Sequence, residues 1–154
     1  MNVDYYNVIN QLTLVNNWCI VTKLYKYYMK TDPELIDNLN IAKFFIRYGF
    51  NNMNLGMKNA AYNNHFSLVK FFIEKGANNW NMGMAFAAKN NHITLVKFFI
   101  EKGADYWNWG MSYAAKNNHI ELIKFFVEKG AYVYQDCYNY TSSQEIKDYL
   151  QQFL

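Results

Sequence analysis

One segment of 14 residues occurs three times along the chain with few changes. It reads NNHFSLVKFFIEKG from Asn63, NNHITLVKFFIEKG from Asn90 and NNHIELIKFFVEKG from Asn117. The starts of the copies are evenly spaced, since 90 − 63 = 27 and 117 − 90 = 27. A fixed period in this range is typical of stacked-repeat architectures. The repeat therefore predicts a solenoid, in which each unit packs on its neighbours and the assembled surface is long.

The shared segment has the pattern of a helix with one apolar side. In the middle copy we expect the buried residues to be Leu95, Val96, Phe99 and Ile100, at helical spacing. Gly103 follows shortly after and predicts a left-handed residue that ends the helix.

A shorter helix is predicted before it in each repeat, and it carries a pair of alanines, Ala87–Ala88 in the middle copy. Such small side chains allow the backbones of neighbouring helices to approach closely. The pair Asn90–Asn91 then separates the two helices, because Asn tolerates the left-handed conformation better than most residues. The helix N-caps are expected at Asn54, Asn81 and Asn108.

Three histidines, His65, His92 and His119, stand at the start of the second helices. Equivalent stacked helices lie about 8–10 Å apart, whereas zinc requires each nitrogen at about 2 Å. One ion therefore cannot bind two of them, and we predict neither a metal nor a cofactor. Instead we expect each imidazole to hydrogen bond to the backbone at the start of its own second helix.

The domain organisation is predicted as a single domain over residues 1–154. Its parts are an N-terminal cap at 1–30, repeats at 31–53, 54–80, 81–107 and 108–134, and a C-terminal cap at 135–154. In the last segment, Ser142 and Glu145 predict a capping box for a final helix, Ile146–Leu154.

The stretch GMAFAAKNNHITLVKFFIEKGAD, which starts at Gly83, resembles the ankyrin repeat in its alanine pair, its histidine and its glycine ending. The ankyrin repeat has about 33 residues, so this repeat is a shorter variant, and the missing part falls where ankyrin carries its β-hairpin finger. The resemblance implies an all-α ankyrin-like helical-hairpin solenoid without fingers, with non-repeat capping helices at both ends. The phrase GADYWNWGM is also similar to short ankyrin-like repeats of giant viruses of amoebae.

The composition limits the function classes without choosing among them. The net charge of +3 permits an acidic partner or a nucleic acid but requires neither. Two distant cysteines, Cys19 and Cys137, favour a reducing compartment over a disulfide framework. We find no signal-peptide pattern and no apolar run of about 18 residues. The chain is thus predicted to be cytoplasmic (host cytoplasm if viral), not secreted and not in a membrane, with a monomer favoured.

No nucleotide-binding, nucleophile-elbow or zinc-protease motif occurs, so we predict a protein without catalytic activity. Positions that are fixed among the three copies should serve stacking, and positions that differ are free to contact a partner. The resemblance implies that first helices and links line the binding face. The predicted binding residues are Asn59, Tyr62, Met82, Phe86, Lys89, Asp105, Tyr106, Trp109, Tyr113 and Lys116. Their tyrosine and tryptophan content is typical of protein interfaces and predicts a protein partner.

Two other functions remain open at this stage. Nucleic acid could bind along a lysine column formed by Lys43, Lys70, Lys97 and Lys124. The weak net charge of +3 disfavours this function. A purely structural, self-assembling solenoid is the other alternative. Among the tryptophans, Trp80 and Trp107 are expected to fill gaps between repeats, while Trp109 suits either stacking or binding.

Overall fold

The computed structural model describes residues 51–154, together with Ala42, Lys43 and Ile46. The chain divides into two compact units, Met1–Asn51 and Asn52–Leu154, and the second is described here. The N-terminal cap at 1–30 and nearly all of the first predicted repeat lie outside the described residues. The single-domain organisation therefore stays a prediction.

Residues 51–154 contain helices and turns but no strand. The helices are α1 (Met53–Tyr62), α2 (Phe66–Glu74), α3 (Trp80–Lys89), α4 (Ile93–Glu101), α5 (Trp107–Lys116), α6 (Ile120–Glu128), α7 (Tyr134–Tyr140) and α8 (Gln144–Gln151). They form four consecutive pairs, each with a first helix (α1, α3, α5, α7) and a second helix (α2, α4, α6, α8). The prediction of an all-α solenoid of helix pairs without β-fingers is confirmed.

The turns inside the three regular pairs have the predicted backbone. Asn64, Asn91 and Asn118 have φ values of 60°, 60° and 59°, in the left-handed region. Each stands between a first and a second helix, where an asparagine is tolerated better than most residues.

The second helices of these pairs end as predicted. Gly76, Gly103 and Gly130 have φ values of 102°, 106° and 99°. Glycine adopts this conformation without the steric cost that a Cβ would bring. The two kinds of left-handed residue thus fix where each regular helix stops.

The helix N-caps differ from the prediction by two residues. Asn52 and Asn79 cap α1 and α3, because their side chains accept hydrogen bonds from the N–H groups of Leu55 and Met82. The predicted caps Asn54, Asn81 and Asn108 are instead the second residues of their helices.

These displaced asparagines join consecutive pairs. The Oδ1 atom of Asn81 accepts hydrogen bonds from the backbone N–H groups of Asp105 at 2.8 Å and Tyr106 at 2.9 Å. Asn54 accepts in the same way from the backbone of the link between α2 and α3. Asn108 accepts from Tyr132 N–H at 2.8 Å. The links between pairs therefore obtain hydrogen bonds without a β-finger.

The core of each regular pair combines a glycine of the first helix with a phenylalanine of the second. A Cβ placed on Gly83 would lie 2.4 Å from the Cζ atom of Phe99, so the ring packs directly on the helix backbone. Leu95, Val96 and Phe99 are fully buried, as predicted, but Ile100 is only half-buried. Gly56 with Phe72 and Gly110 with Phe126 repeat the arrangement.

The alanine pairs are fully buried between neighbouring first helices. Each first helix packs closely on the first helix of the next pair, whereas consecutive second helices are farther apart. Side chains span that wider gap, as where the rings of Phe66 and Phe98 lie 4.9 Å apart. The first helices therefore form the tighter side of the stack.

His92 and His119 bind backbone, but not that of their own helix. The Nε2 atom of His92 lies 3.0 Å from the carbonyl oxygen of Tyr62, and that of His119 lies 3.0 Å from the carbonyl oxygen of Lys89. A carbonyl can only accept, so Nε2 carries the proton and donates. Both carbonyls belong to the last residue of the first helix in the preceding pair. The prediction of a bond within the same repeat was wrong, because the stacking brings that free helix end within reach.

The final pair departs from the regular repeat. Its second helix begins at Gln144, and Ser143, not Ser142, is the N-cap, whose hydroxyl accepts from Ile146 N–H. The predicted helix Ile146–Leu154 is therefore wrong at both ends. Ser142 instead accepts a hydrogen bond from the Nδ2 group of Asn118 at 2.9 Å.

Candidate functional site

Four aromatic side chains form a continuous run across the first helices. Ring centroids are 6.5 Å apart between Tyr62 and Phe86, 5.5 Å between Phe86 and Tyr113, and 6.0 Å between Tyr113 and Trp109. We call these residues the aromatic ladder. These separations fall within the range of favourable ring pairs. Four of the predicted binding residues are thus brought together.

Lysines lie over the rings of this ladder and beside it. The ammonium of Lys58 is 4.8 Å from the ring centroid of Phe86. That of Lys89 is 5.5 Å from Tyr62 and 5.9 Å from Tyr113. The helices α1, α3 and α5 carry one lysine each and no acidic residue. This side of the stack is therefore positively charged as well as aromatic.

The ladder is unevenly exposed. Trp109 is 37% exposed, whereas Tyr62, Phe86 and Tyr113 are half-buried against one another. Mutual packing holds the ladder rings in place and leaves Trp109 as its most accessible member. Trp109 therefore both stacks on a neighbour and faces solvent.

Tyr140 extends this surface and was missed by the sequence reasoning. It is 47% exposed, and the ammonium of Lys116 lies 4.3 Å from its ring centroid. Tyr140 stands one full repeat after Tyr113, since 140 − 113 = 27, so the repeat spacing would have identified it. The weakening of the motif beyond Tyr134 hid this signal.

A second feature is a surface pocket of about 450 Å³, lined by residues 105–109 and 130–132. We call it the link pocket, because it lies where the chain enters and leaves the third regular pair. It contains the predicted residues Asp105, Tyr106 and Trp109. Tyr106 is 63% exposed, and Tyr132 is 71% exposed. Trp109 belongs to both the ladder and the pocket.

Two predicted residues are placed in the helices beside these rings and not in the ladder itself. Asn59 is half-buried in α1, and its carbonyl accepts hydrogen bonds from the backbone and side chain of Asn63. Met82 is half-buried in α3, where its N–H donates to the Asn79 cap.

The lysine column of the second helices has a different environment. The ammoniums of Lys70, Lys97 and Lys124 lie 4.7, 5.8 and 5.8 Å from the ring centroids of Phe66, Phe125 and Tyr149. The part of the chain that the structure describes has one ion pair, between Lys124 and Glu121 at 3.6 Å. The column is accompanied by Glu74, Glu101 and Glu128, which lower its net positive charge.

The ionisable groups in this unit give no sign of an activated nucleophile. Burial raises the pKa of the Cys137 thiol to about 12, although the Ser112 hydroxyl and Lys116 act in the opposite direction. The thiol is therefore protonated at neutral pH. Among residues 51–154 and the three described before them, no three His, Cys, Asp or Glu side chains are grouped so that they could hold a metal ion.

The pKa of His65 is lowered, first by burial and second by the charge of His92.

Within the described part of the chain, no helix has the length and apolar character needed to span a bilayer.

Comparison with known proteins agrees with this geometry. Residues 57–137 match the family model described as ankyrin repeats (3 copies), which is 81 of 154 residues. No curated protein matches the chain significantly. Because the match covers more than half of the sequence, the chain belongs to the ankyrin-repeat family, whose members are generally non-enzymatic protein–protein interaction modules.

Proposed function

We propose that the chain binds a protein partner through the first-helix side of the stack. The observation that carries this proposal is the aromatic ladder, a run of contacting rings that ends in the exposed Trp109. It lies on the helices whose residues differ most among the internal repeats. Tyrosine and tryptophan are the residue types that most often dominate binding energy in protein interfaces.

The packing of the ladder supports binding energetically. Association costs about 0.5–1.5 kcal/mol for each flexible side chain that becomes fixed at an interface. Rings that already pack on one another lose less freedom when a partner arrives. Lys89 and Lys116 flank the ladder and favour the approach of acidic side chains.

The decisive experiment begins with affinity capture from the native cell and identification of bound proteins by mass spectrometry. The affinity of the captured partner is then measured for the full chain and for Trp109→Ala. We expect this substitution to weaken binding by about 2 kcal/mol, the scale of an interface hot spot. The matched control, Lys97→Ala on the second helix, should cost less than about 0.5 kcal/mol.

Thermal unfolding of the same variants separates binding from stacking. Lost binding with an unchanged melting temperature supports the proposal. Lower stability, with full affinity in the folded fraction, contradicts the role of Trp109 and leaves Tyr113 and Lys116 as the next residues to substitute.

Two further measurements address the alternatives. Binding to random DNA or RNA at two salt concentrations should weaken steeply if phosphates drive it. Sedimentation over a concentration series would reveal self-assembly in place of the favoured monomer. Salt-sensitive binding to nucleic acid, or self-assembly of the chain, contradicts the proposal if no protein partner is found.

We also propose a cytoplasmic location, which the free, buried Cys137 and the lack of a disulfide pattern support. The similarity of GADYWNWGM to repeats of amoebal viruses makes a host protein the first class of partner to test. Immunofluorescence and capture from infected amoebae are the corresponding experiments.

A further inference from the structure

The link pocket has an unusual lining for a surface depression. Four aromatic residues, Tyr106, Trp107, Trp109 and Tyr132, surround it together with one carboxylate, that of Asp105. No lysine or arginine lines the pocket, although lysines flank the aromatic ladder nearby. Its volume of about 450 Å³ is within the usual range of ligand sites, about 300–1,000 Å³.

The preceding link shows that stacking does not require this lining. At the positions of Asp105, Tyr106 and Trp109, one repeat earlier, the chain has Asn78, Asn79 and Met82. The two links nevertheless have the same backbone anchoring, since Asn54 binds Asn78 and Asn79 as Asn81 binds Asp105 and Tyr106. The additional rings, those of Tyr106, Trp109 and Tyr132, are therefore specific to the third pair.

The structure holds parts of the lining in fixed positions. The Nδ2 group of Asn81 donates to the Asp105 carboxylate at 3.2 Å, and its Oδ1 atom fixes the Asp105 backbone. Trp107 is half-buried, and its indole N–H is buried without a hydrogen-bond partner among the described residues. Gly130 lies against this ring, since a Cβ there would come within 3.7 Å of it.

A pocket lined by aromatic residues and by an aspartate is a chemical environment that suits a cation. The faces of aromatic rings carry negative electrostatic potential and attract ammonium groups within about 6 Å. A carboxylate adds a formal negative charge. A neutral apolar ligand would gain nothing from Asp105, and an anion would be repelled by it.

We propose that the link pocket binds an alkylammonium group, carried by a lysine side chain of the partner and most tightly when that lysine is methylated. Methylation keeps the positive charge while it weakens hydration, so less is lost when the group leaves water. The inference rests on the proposed function in one respect, that the group belongs to a protein. It adds the chemistry of one partner residue to the surface already described.

In the test, choline is added as the probe to the full chain. Its binding is measured by two-dimensional NMR from the indole N–H signals of Trp107 and Trp109. We expect saturable shifts of these two signals, with smaller changes at Trp80. The neutral isostere 3,3-dimethylbutan-1-ol has the same shape without the charge and should bind at least about ten-fold more weakly. Equal affinity for the two compounds, or no saturable shift with choline, overturns the proposal.

Variants locate the site. Asp105→Asn should weaken choline binding by up to about five-fold, the scale of an exposed ion pair. Tyr132→Ala should weaken it by about two- to five-fold, the scale of one exposed cation–π contact. Asp148→Asn on α8 changes the net charge equally outside the pocket and is the matched control. An equal effect of Asp105→Asn and Asp148→Asn contradicts a local carboxylate contact.

Phe86→Ala separates this proposal from the proposed function. It removes a ladder ring outside the pocket. The affinity for the captured partner should therefore decrease, while the affinity for choline stays unchanged. Failure of choline to bind overturns the pocket proposal and leaves the ladder proposal intact. Choline binding together with no effect of Phe86→Ala and Trp109→Ala on any partner contradicts the ladder proposal instead.

Discussion

The turns inside the helix pairs are joined to the turns of neighbouring pairs in opposite directions in the regular pairs and at the C-terminal pair. Between regular pairs, His92 and His119 reach back and donate to the last carbonyl of the preceding first helix. At the final junction, Asn118 reaches forward, and its Oδ1 atom accepts from Thr141, Ser142 and Ser143. The requirement common to both junctions is a hydrogen bond for the polar backbone at the turn, not a particular residue type.

The cores of the two regions differ in a compensating way. Cys137 is the fourth residue of α7, as Gly110 is of α5. Leu150 stands seven residues after the Ser143 cap, as Phe126 stands seven after His119. The side chains of Cys137, Leu150 and Phe126 are all fully buried. Compared with the regular pairs, the final pair thus has a larger side chain at this position of the first helix and a smaller one on the second helix. The two changes together keep the filled core volume similar.

The largest effect is expected from placing a side chain where the regular pairs have none. Gly83→Ala should lower the free energy of unfolding by about 1–3 kcal/mol through overpacking against Phe99. In an ordinary helix interior the same change would be favourable by about 1 kcal/mol. Denaturant unfolding of the full chain, followed by circular dichroism, measures the difference.

The core comparison supplies a rescue and a control for this variant. Adding Phe99→Leu imitates the Cys137 and Leu150 combination, and the double variant should lose less stability than the sum of the single variants. Cys137→Ala should cost only about 1 kcal/mol, because a Cβ already fits at that position. Stabilisation by Gly83→Ala would show that the glycine and phenylalanine are not matched.

A smaller loss is expected at the final junction. Asn118→Gly removes four side-chain hydrogen bonds, including that from the buried Thr141 hydroxyl. It should cost about 1–2 kcal/mol, the scale of unpaired polar groups that are partly buried. Hydrogen exchange at the Ser142 and Ser143 amides should become faster.

Asn91→Gly is the matched control for this substitution. Asn91 has the same φ of 60°, but its side chain makes no hydrogen bond within the described part of the chain. Its replacement should stay within about 0.5 kcal/mol of the parent protein. Equal losses for both variants would mean that the backbone conformation, and not the forward bonds of Asn118, determines the result.

The smallest effect concerns pH and is confined to the histidine-containing pairs. Because the pKa of His65 is lowered in the folded chain, the unfolded chain takes up a proton first as pH falls. Stability is therefore fully present above the unfolded pKa of about 6.5 and decreases as pH drops below it toward the folded value. The melting temperature should fall as pH is lowered from about 7.5 to about 5.5. His65→Gln should make the melting temperature depend less on pH.

The repeat spacing was sufficient to predict much of the fold. The helix pairs, the left-handed asparagines and the glycine ends follow from local backbone preferences, which the sequence states directly. The targets of His92 and Asn81 could not be predicted, because they lie in neighbouring pairs. Those contacts depend on the rise and rotation between stacked pairs, which the length of the repeat does not specify.

The candidate site was predictable to a similar degree. Internal variation identified Phe86, Trp109 and Tyr113, which the structure brings into one run of rings. It missed Tyr140, because the motif is weaker in the last pair. The pocket combines residues from two links, and their meeting depends on the fold of the whole third pair.

The asparagine and histidine contacts between pairs have a consequence for how the chain folds. These hydrogen bonds join residues 23 to 30 positions apart, as between Thr141 and Asn118 or between His92 and Tyr62. These contacts span about one repeat, so packing one pair on the next closes a loop of limited length and moderate entropic cost. In a stack of this kind, folding can nucleate in any pair and spread to its neighbours. Early pairs can therefore acquire their structure while later ones are still being synthesised.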